Sequence, residues 1–186
     1  MRKIQYIVSM GDSLSDRGTL AKRHKFGFIP MDTVSGLKAK SSPHNRFTNG
    51  YNWLDAVAMQ LIQQFSSEAP QQSTPLSNAL TFNDEMLSHD KHVMFEGKKI
   101  VRSFAEGGLT AHDYSDTLVW PNFSGPVENL GREAARLLVA TLADKRNQLL
   151  HHDKKDNITP EQKSATLIIE WSGANDMITV NAEPTP

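Results

Sequence analysis

The chain has 186 residues, with 20 Lys and Arg against 21 Asp and Glu, a formal net charge of −1 and no cysteine. This length predicts one domain, 1–186, that can bury a core without disulfides. The lack of cysteine excludes a disulfide framework, a cysteine-ligated zinc and a cysteine nucleophile. The basic residues are scattered, which gives no sign of a nucleic-acid partner, and no stretch approaches the ~18 apolar residues of a membrane span.

The N-terminal segment KIQYIVSM, residues 3–10, predicts a buried first strand because it is rich in Ile, Val and Tyr. Arg2 and Lys3 precede this apolar run, as basic residues do in a secretory signal. The run contains Gln5 and Ser9, however, and no small-residue cleavage site follows it. We therefore expect that any signal is absent or already removed, and the sequence leaves the compartment open.

The first helix is predicted over residues 52–65, where Asn52 is the expected N-cap and Asp55 lies in the favourable first turn. Its apolar residues recur at helical spacing. They are Leu54, Val57, Ala58, Leu61, Ile62 and Phe65. Residues 66–97 are the least informative part of the sequence. Within them APQQSTPLSN, residues 69–78, has the composition of a loop, and EGKK indicates a turn before the next strand.

The remaining predicted elements are two strands and one long helix. The strands cover residues 99–105 and 166–172, and the helix covers residues 127–150. Residues 151–164, HHDKKDNITPEQKS, predict an exposed polar loop. Strands separated by helical segments indicate an α/β protein with a parallel sheet and right-handed crossovers.

A glycine-containing turn follows each of the three predicted strands. These turns are Gly-Asp-Ser at 11–13, Gly-Gly at 107–108 and Gly-Ala-Asn-Asp at 173–176. Ligands of open α/β sheets bind at the carboxyl ends of the strands, so we expect the three turns to lie along one edge.

Each turn also has a purely structural interpretation. Gly11 can supply flexibility while Ser13 caps a following helix, the Gly107–Gly108 pair can allow a tight turn, and Asn175 can satisfy a local turn. Three such turns at three successive strand ends favour a functional site.

The same segments resemble the sequence blocks of the GDSL, or SGNH, hydrolases. The match covers MGDSLSDRG at 10–18, SFAEGGLTA at 103–111 and IIEWSGANDM at 168–177. A fourth segment, NRFTNGYNWLD at 45–55, is similar to a stretch of the branch that contains bacterial phospholipases and acyltransferases. The resemblance implies a three-layer α/β/α, flavodoxin-like fold with a mainly parallel sheet.

By this resemblance Ser13 is the nucleophile of a serine esterase that needs no cofactor and no metal. The oxyanion hole would consist of the backbone N–H of Ser13, the backbone N–H of Gly108 and the side-chain amide of Asn175. Asp12 and Asp176 are expected to brace their turns through backbone hydrogen bonds. The other supporting positions are Gly11, Gly107 and Gly173.

The resemblance of segment 45–55 favours lipid esters, with lysophospholipase, phospholipase A or acyltransferase activity. A carbohydrate O-acetyl esterase of the same fold is one alternative, and a catalytically silent fragment or interaction module is the other. Trp120 and Phe123 either line an acyl-chain groove or anchor a loop, and loop anchoring is favoured.

Five histidines were considered as ligands or catalytic groups. His89, His92 and the pair His151–His152 are expected to be exposed polar residues, because neither group has a third ligand at a useful spacing. His112 follows the glycine block most closely, but the family resemblance implies no catalytic role for it.

The base that would activate Ser13 comes, in the family, from a downstream Asp-x-x-His block. No aspartate of this chain is followed by histidine three residues later. We therefore expect residues 1–186 to be the N-terminal portion of a longer hydrolase, inactive alone and exposing an apolar sheet edge. The rest would be deleted, disordered or a separate chain that completes the fold, unless a local histidine such as His112 replaces the base.

Overall fold

The central feature of the computed structural model is a four-stranded sheet. The structure describes residues 4–25, 29–31, 43–66, 87, 90–114 and 139–181. The strands are β1 (Tyr6–Gly11), β2 (His24–Lys25), β3 (Ile29–Pro30), β4 (Val93–Phe95), β5 (Lys98–Ser103) and β6 (Thr166–Trp171). The main sheet has the order β4-β5-β1-β6, and β2 and β3 form a separate antiparallel pair.

Strand β1 lies between two parallel neighbours. Ile7 pairs with Val101 of β5 and also with Leu167 of β6, and the pairing with β6 continues to Gly11. Strand β4 is antiparallel to β5 across a turn at 96–97. The α/β class predicted from the sequence is confirmed. The sheet is mixed because β4, a three-residue strand that was not predicted, is antiparallel to β5.

Helices cover both faces of the sheet. They are α1 (Trp53–Ser66), α2 (Leu142–Lys155), α3 (Pro160–Ser164) and α4 (Ala174–Asn181). A 3-10 turn spans Pro43–Asn45. Because side chains alternate along β1, Ile7 joins the buried cluster of α1, whereas Val8 and Met10 join Leu142 and Leu149 of α2.

The predicted first helix is confirmed within one residue at each end. The N–H groups of Leu54 and Asp55 both donate to Oδ1 of Asn52 at 3.1 Å, so Asn52 is the N-cap. The predicted apolar face is the buried face, with Leu54, Ala58 and Ile62 almost inaccessible to solvent.

The long helix predicted over 127–150 is confirmed at 142–150 and wrong at 139–141. Residues 139–141 are not helical, and α2 begins only at Leu142. Thr141 and Asp144 form a capping box, in which each side chain accepts the other residue's backbone N–H. Residues 127–138 lie outside the described residues.

Residues 151–164 are exposed or half-buried, as predicted, but most of them are helical and do not form a loop. Helix α2 continues to Lys155, and α3 begins after a second capping box between Thr159 and Gln162, with a proline at its first position. Lys99 of β5 pairs with Asp156 at 2.6 Å and holds this region against the sheet.

Strand β6 has a partner on one side only among the described residues, although apolar side chains lie on both of its faces. Leu167 is 40% exposed and Ile168 is 53% exposed. Their neighbours in β1, Ile7 and Val8, are buried. Separately, no helix in the described parts of the chain has the length and apolar character needed to cross a membrane.

Candidate active site

Ser13 lies in a tight turn immediately after β1. The N–H of Ser15 donates to the carbonyl of Asp12 at 3.1 Å, and the N–H of Leu14 donates to the Asp12 carboxylate at 3.1 Å. Residues 14–22 continue as turns and bends. Ser13 therefore does not cap a helix, and that structural interpretation of the Gly-Asp-Ser motif is wrong.

Gly11 allows the serine turn to sit between the ends of the two neighbouring strands. A Cβ at this position would lie 2.2 Å from the carbonyl oxygen of Trp171, so no larger residue fits without a shift of the backbone. The Asp12 N–H donates to the same Trp171 carbonyl at 3.2 Å, and the Gly11 carbonyl accepts the backbone N–H of Glu106 at 2.9 Å. The serine turn is thus hydrogen-bonded to the ends of both β5 and β6.

The glycine turn at 107–108 is connected to the serine turn by a side chain that the sequence analysis did not single out. The carboxylate of Asp16 accepts the N–H of Gly107 at 2.8 Å, and it also accepts the N–H groups of Thr19 at 2.6 Å and Leu20 at 3.2 Å. Asp16 is completely buried. The motif Asp-Ser-Leu-Ser-Asp contains this residue, but its partner is far away in sequence.

Gly108 is the residue expected to supply a backbone donor. Its φ of 79° lies in the left-handed region that favours glycine. Neither the N–H of Gly108 nor the N–H of Ser13 donates a hydrogen bond to any group within the described residues. Both N–H groups are therefore available to an acceptor that enters the site.

The third turn reaches the glycine turn through the start of α4, which Gly173 precedes. The Asn175 side-chain amide donates at 2.8 Å to the carbonyl of Leu109, which is the residue that follows Gly108. The Asp176 carboxylate accepts the N–H groups of Ala111 and His112, each at 2.8 Å. Asp12 and Asp176 both bond to backbone, and hydrogen bonds connect all three predicted turns.

A cleft of about 330 Å³ opens beside Ser13. Its lining residues are Ser13, Leu14, Phe47, Thr48, Asn52, Trp53 and Trp171. The rings of Trp53 and Trp171 lie 6.4 Å apart, and the Trp53 indole donates to the Ser15 hydroxyl at 3.1 Å. Four lining residues come from segment 45–55, whereas Trp120 and Phe123 lie outside the described residues.

A buried ion cluster attaches segment 45–55 to the serine turn. The Asp55 carboxylate lies 2.7 Å from the guanidinium groups of both Arg17 and Arg46. Arg17 also donates to the carbonyls of Leu87 and Lys91 at 2.9 Å. Burial lowers the pKa of Arg17, and the Asp55 carboxylate opposes that effect.

A second buried carboxylate, Glu106, lies directly before the glycine turn. It is fully buried and pairs with Arg23 and with Lys145 of α2. Burial raises the pKa of the nearby Asp16 to about 6, and the charge of Glu106 adds to that rise. The backbone hydrogen bonds that Asp16 accepts oppose it.

The histidines differ from the exposed residues that the sequence predicted. His92 is buried, with its ring 5.7 Å from Phe104 and 5.9 Å from His152, because the Phe104 ring fills the space between β5 and α2. Burial lowers the pKa of His92 to about 3 and also lowers that of His152. His151 is exposed, as expected. In the part of the chain that is described, no group of three or more acidic or histidine side chains could hold a metal ion.

His112 lies on the surface, where its ring meets that of Tyr114 edge-on at 4.8 Å. His89 is outside the described residues. Comparisons with protein-family models, with curated proteins and with solved structures found no match for this chain.

Proposed function

We propose that this chain acts on carboxylic esters, by hydrolysis or acyl transfer, with Ser13 as the nucleophile, in the manner of the GDSL, or SGNH, hydrolases and with their three-layer fold. One observation carries the proposal. The backbone N–H groups of Ser13 and Gly108 make no hydrogen bond within the described residues, and a cleft opens beside Ser13. Asn175, the third expected donor, is hydrogen-bonded to the residue after Gly108.

The reaction follows from these groups. The Ser13 oxygen attacks the ester carbonyl carbon, and the carbonyl oxygen becomes an oxyanion that accepts hydrogen bonds from the backbone N–H groups of Ser13 and Gly108. Asn175, whose amide donates to the Leu109 carbonyl in this structure, is the third proposed donor. Preorganised donors of this kind contribute about 3–4 kcal/mol each in comparable enzymes. The C–O bond then breaks, and the leaving alcohol takes the proton that a base removed from Ser13. Water or an acceptor alcohol releases the acyl group from Ser13 in a second step.

The base must be a separate group, because a serine hydroxyl is a weak nucleophile without one. No Asp-x-x-His block exists in the sequence. We propose that the base comes from a second polypeptide segment, which would also pair with β6. The exposed apolar residues Leu167 and Ile168 support this assignment, since strands of parallel sheets are normally covered on both faces.

Lipid esters are the favoured substrates. Leu14, Phe47 and Trp171 are exposed at the cleft, and Trp53 forms one wall, so an acyl chain would bury apolar surface on both partners. A carbohydrate O-acetyl esterase is the second candidate, because the Thr48 hydroxyl also lines the cleft and can bind a sugar hydroxyl. Preference for acetate over octanoate among p-nitrophenyl esters would favour the second candidate.

The test uses a fluorophosphonate probe on the 186-residue chain, with and without added imidazole as a substitute base. We expect the probe to modify Ser13, faster with imidazole, and mass spectrometry identifies the labelled residue. Ser13→Ala should abolish labelling, whereas the exposed Ser164→Ala should not change it. Labelling that persists in Ser13→Ala contradicts the proposal. Failure of the wild-type chain to react even with imidazole would instead favour a catalytically silent module.

A further inference from the structure

We propose that Asp16 is a positioning residue of this site. Its buried carboxylate holds the glycine turn against the serine turn and so sets the direction of the Gly108 N–H. This inference rests on the proposed function, because it concerns the same oxyanion donors. Its structural part, the coupling of Asp16 to Gly107, can be tested without any reaction.

The hydrogen bonds of Asp16 join two parts of the site. Within its own segment, the carboxylate accepts from Thr19 at 2.6 Å and Leu20 at 3.2 Å. Across the site it accepts from Gly107 at 2.8 Å. One side chain therefore fixes the loop that follows Ser13 and also the peptide that precedes the Gly108 donor.

An ionised carboxylate suits this set of partners, because all three are N–H donors and a carboxylate offers acceptors alone. Oδ2 accepts from Gly107 and Leu20, and Oδ1 accepts from Thr19. An asparagine has one acceptor oxygen and cannot keep bonds at both positions, and a proton on the carboxyl weakens it as an acceptor. Either change therefore alters the set of bonds that links Gly107 to the loop after Ser13.

The position of Gly107 controls Gly108 because the two residues share a peptide bond. A Cβ on Gly107 would lie 2.3 Å from the Phe47 ring, so the turn has little space on that side. Oxyanion donors act through fixed distances, and a displacement of 1 Å can reduce a rate by roughly 10²-fold. Loss of the Asp16 bond is therefore expected to affect the transition state more than substrate binding.

Several charges surround Asp16, and they determine where it titrates. Glu106 is the acid whose charge acts on Asp16, and it is paired with Arg23 and Lys145. Arg17, the next residue along the chain, is directed to Asp55. Burial has the largest effect and, together with Glu106, raises the pKa of Asp16 to about 6. The Gly107 bond is thus intact at pH 7 and weakens as the pH falls below 6.

The first test follows the backbone amide signals of the 186-residue chain by NMR between pH 7.5 and 5. We expect the Gly107 amide proton to move with a midpoint near pH 6, and the Gly97 amide, in the exposed hairpin turn, to stay still. Asp16→Asn should remove the Gly107 titration. A Gly107 signal that does not move, or that moves equally in Asp16→Asn, overturns the inference. If Asp16→Asn does not fold, the wild-type chain alone tests the inference, through the presence or absence of a Gly107 shift near pH 6.

The second test measures acylation of Ser13 by a p-nitrophenyl ester in the presence of imidazole. Asp16→Asn should lower kcat by at least about tenfold with little change in KM. Asp144→Asn is the matched control, because Asp144 also accepts a backbone N–H but belongs to the cap of α2. A wild-type chain that never acylates Ser13 contradicts the proposed function. Normal acylation by folded Asp16→Asn contradicts only the role of Asp16.

Discussion

The two parallel neighbours of β1 each have a central apolar pair, Ile100–Val101 in β5 and Ile168–Ile169 in β6, but their surroundings are opposite. Val101 of β5 is completely buried under α1, whereas Ile168 of β6 is largely exposed. Both strands are apolar enough to lie inside a sheet. The comparison teaches that an apolar run indicates suitability for burial, while burial itself depends on which elements cover the strand.

The charged groups divide in the same way. On the β5 side, Asp55 and the two arginines that bind it are inaccessible to solvent. On the β6 side, Arg146 and Glu170 pair at 2.9 Å on the surface. The β5 side therefore carries the buried Asp55 cluster, and the β6 side carries Asn175, the third proposed oxyanion donor, with a surface ion pair beside it.

Asp55→Ala should have the largest effect on stability. It leaves two buried guanidinium groups without their shared carboxylate, and breaking a buried pair costs about 3–5 kcal/mol. The free energy of unfolding in urea measures this loss. Glu170→Ala is the control from the β6 side, where an exposed pair contributes at most about 1 kcal/mol. Equal losses in the two variants would contradict the division between the two sides.

Asn175→Ala should affect reaction rather than folding. Removal of one oxyanion donor lowers kcat by roughly 10²–10³ with little change in KM. The acylation rate of Ser13 in the presence of imidazole gives this number, and urea unfolding gives the stability. A rise in KM alone would mean that Asn175 binds substrate, and failure to fold would mean that its bond to Leu109 is structural.

Asn175 and Asp55 also show what the sequence could and could not predict. The turns around Ser13, Gly108 and Asn175 were found because each follows an apolar strand. Asp55 was interpreted only as a helix-dipole residue, since its partner Arg17 lies 38 positions away and no local pattern connects them.

Strand β4 and helix α3 were missed, and α2 was predicted to begin too early, for a different reason. Strand β4 has three residues, too few to establish a period of two. In α2 the buried residues are only Leu142, Lys145 and Leu149, so the apolar stripe is faint. Capping boxes at Thr141 and Thr159 determine where the two helices begin, and these pairs are the local signal that could have located them.

The pH dependence of stability should reveal the buried His92. Its pKa is lowered to about 3 in the folded protein, so the stability it contributes is present above pH 6.5 and is lost as the pH falls toward 3. Asp16 acts in the opposite direction, with a contribution present below pH 4 and lost as the pH rises through 6. His92→Phe should therefore gain about 2 kcal/mol relative to wild type between pH 7 and 5. An unchanged difference in urea unfolding across that range would show that His92 is accessible to protons.

Ile168→Lys should have the smallest effect on stability, because the side chain is already exposed. We expect the free energy of unfolding to change by less than about 0.5 kcal/mol, with weaker self-association, since charged residues protect open strand edges. Sedimentation velocity measures the association, and Val101→Lys is the buried comparison. A large loss of stability in Ile168→Lys would show that β6 is covered in solution.

The central position of β1 has a consequence for how the chain acquires its structure. Ile7 pairs with Val101, and Val8 pairs with Ile168, so the strand made first joins partners made much later. Contacts this distant in sequence slow folding, because the chain loses the entropy of closing large loops before the strand pairs contribute favourable free energy. During synthesis, the apolar β1 therefore emerges long before the residues that will shield it, and chaperones that hold exposed apolar segments should improve the yield of native protein.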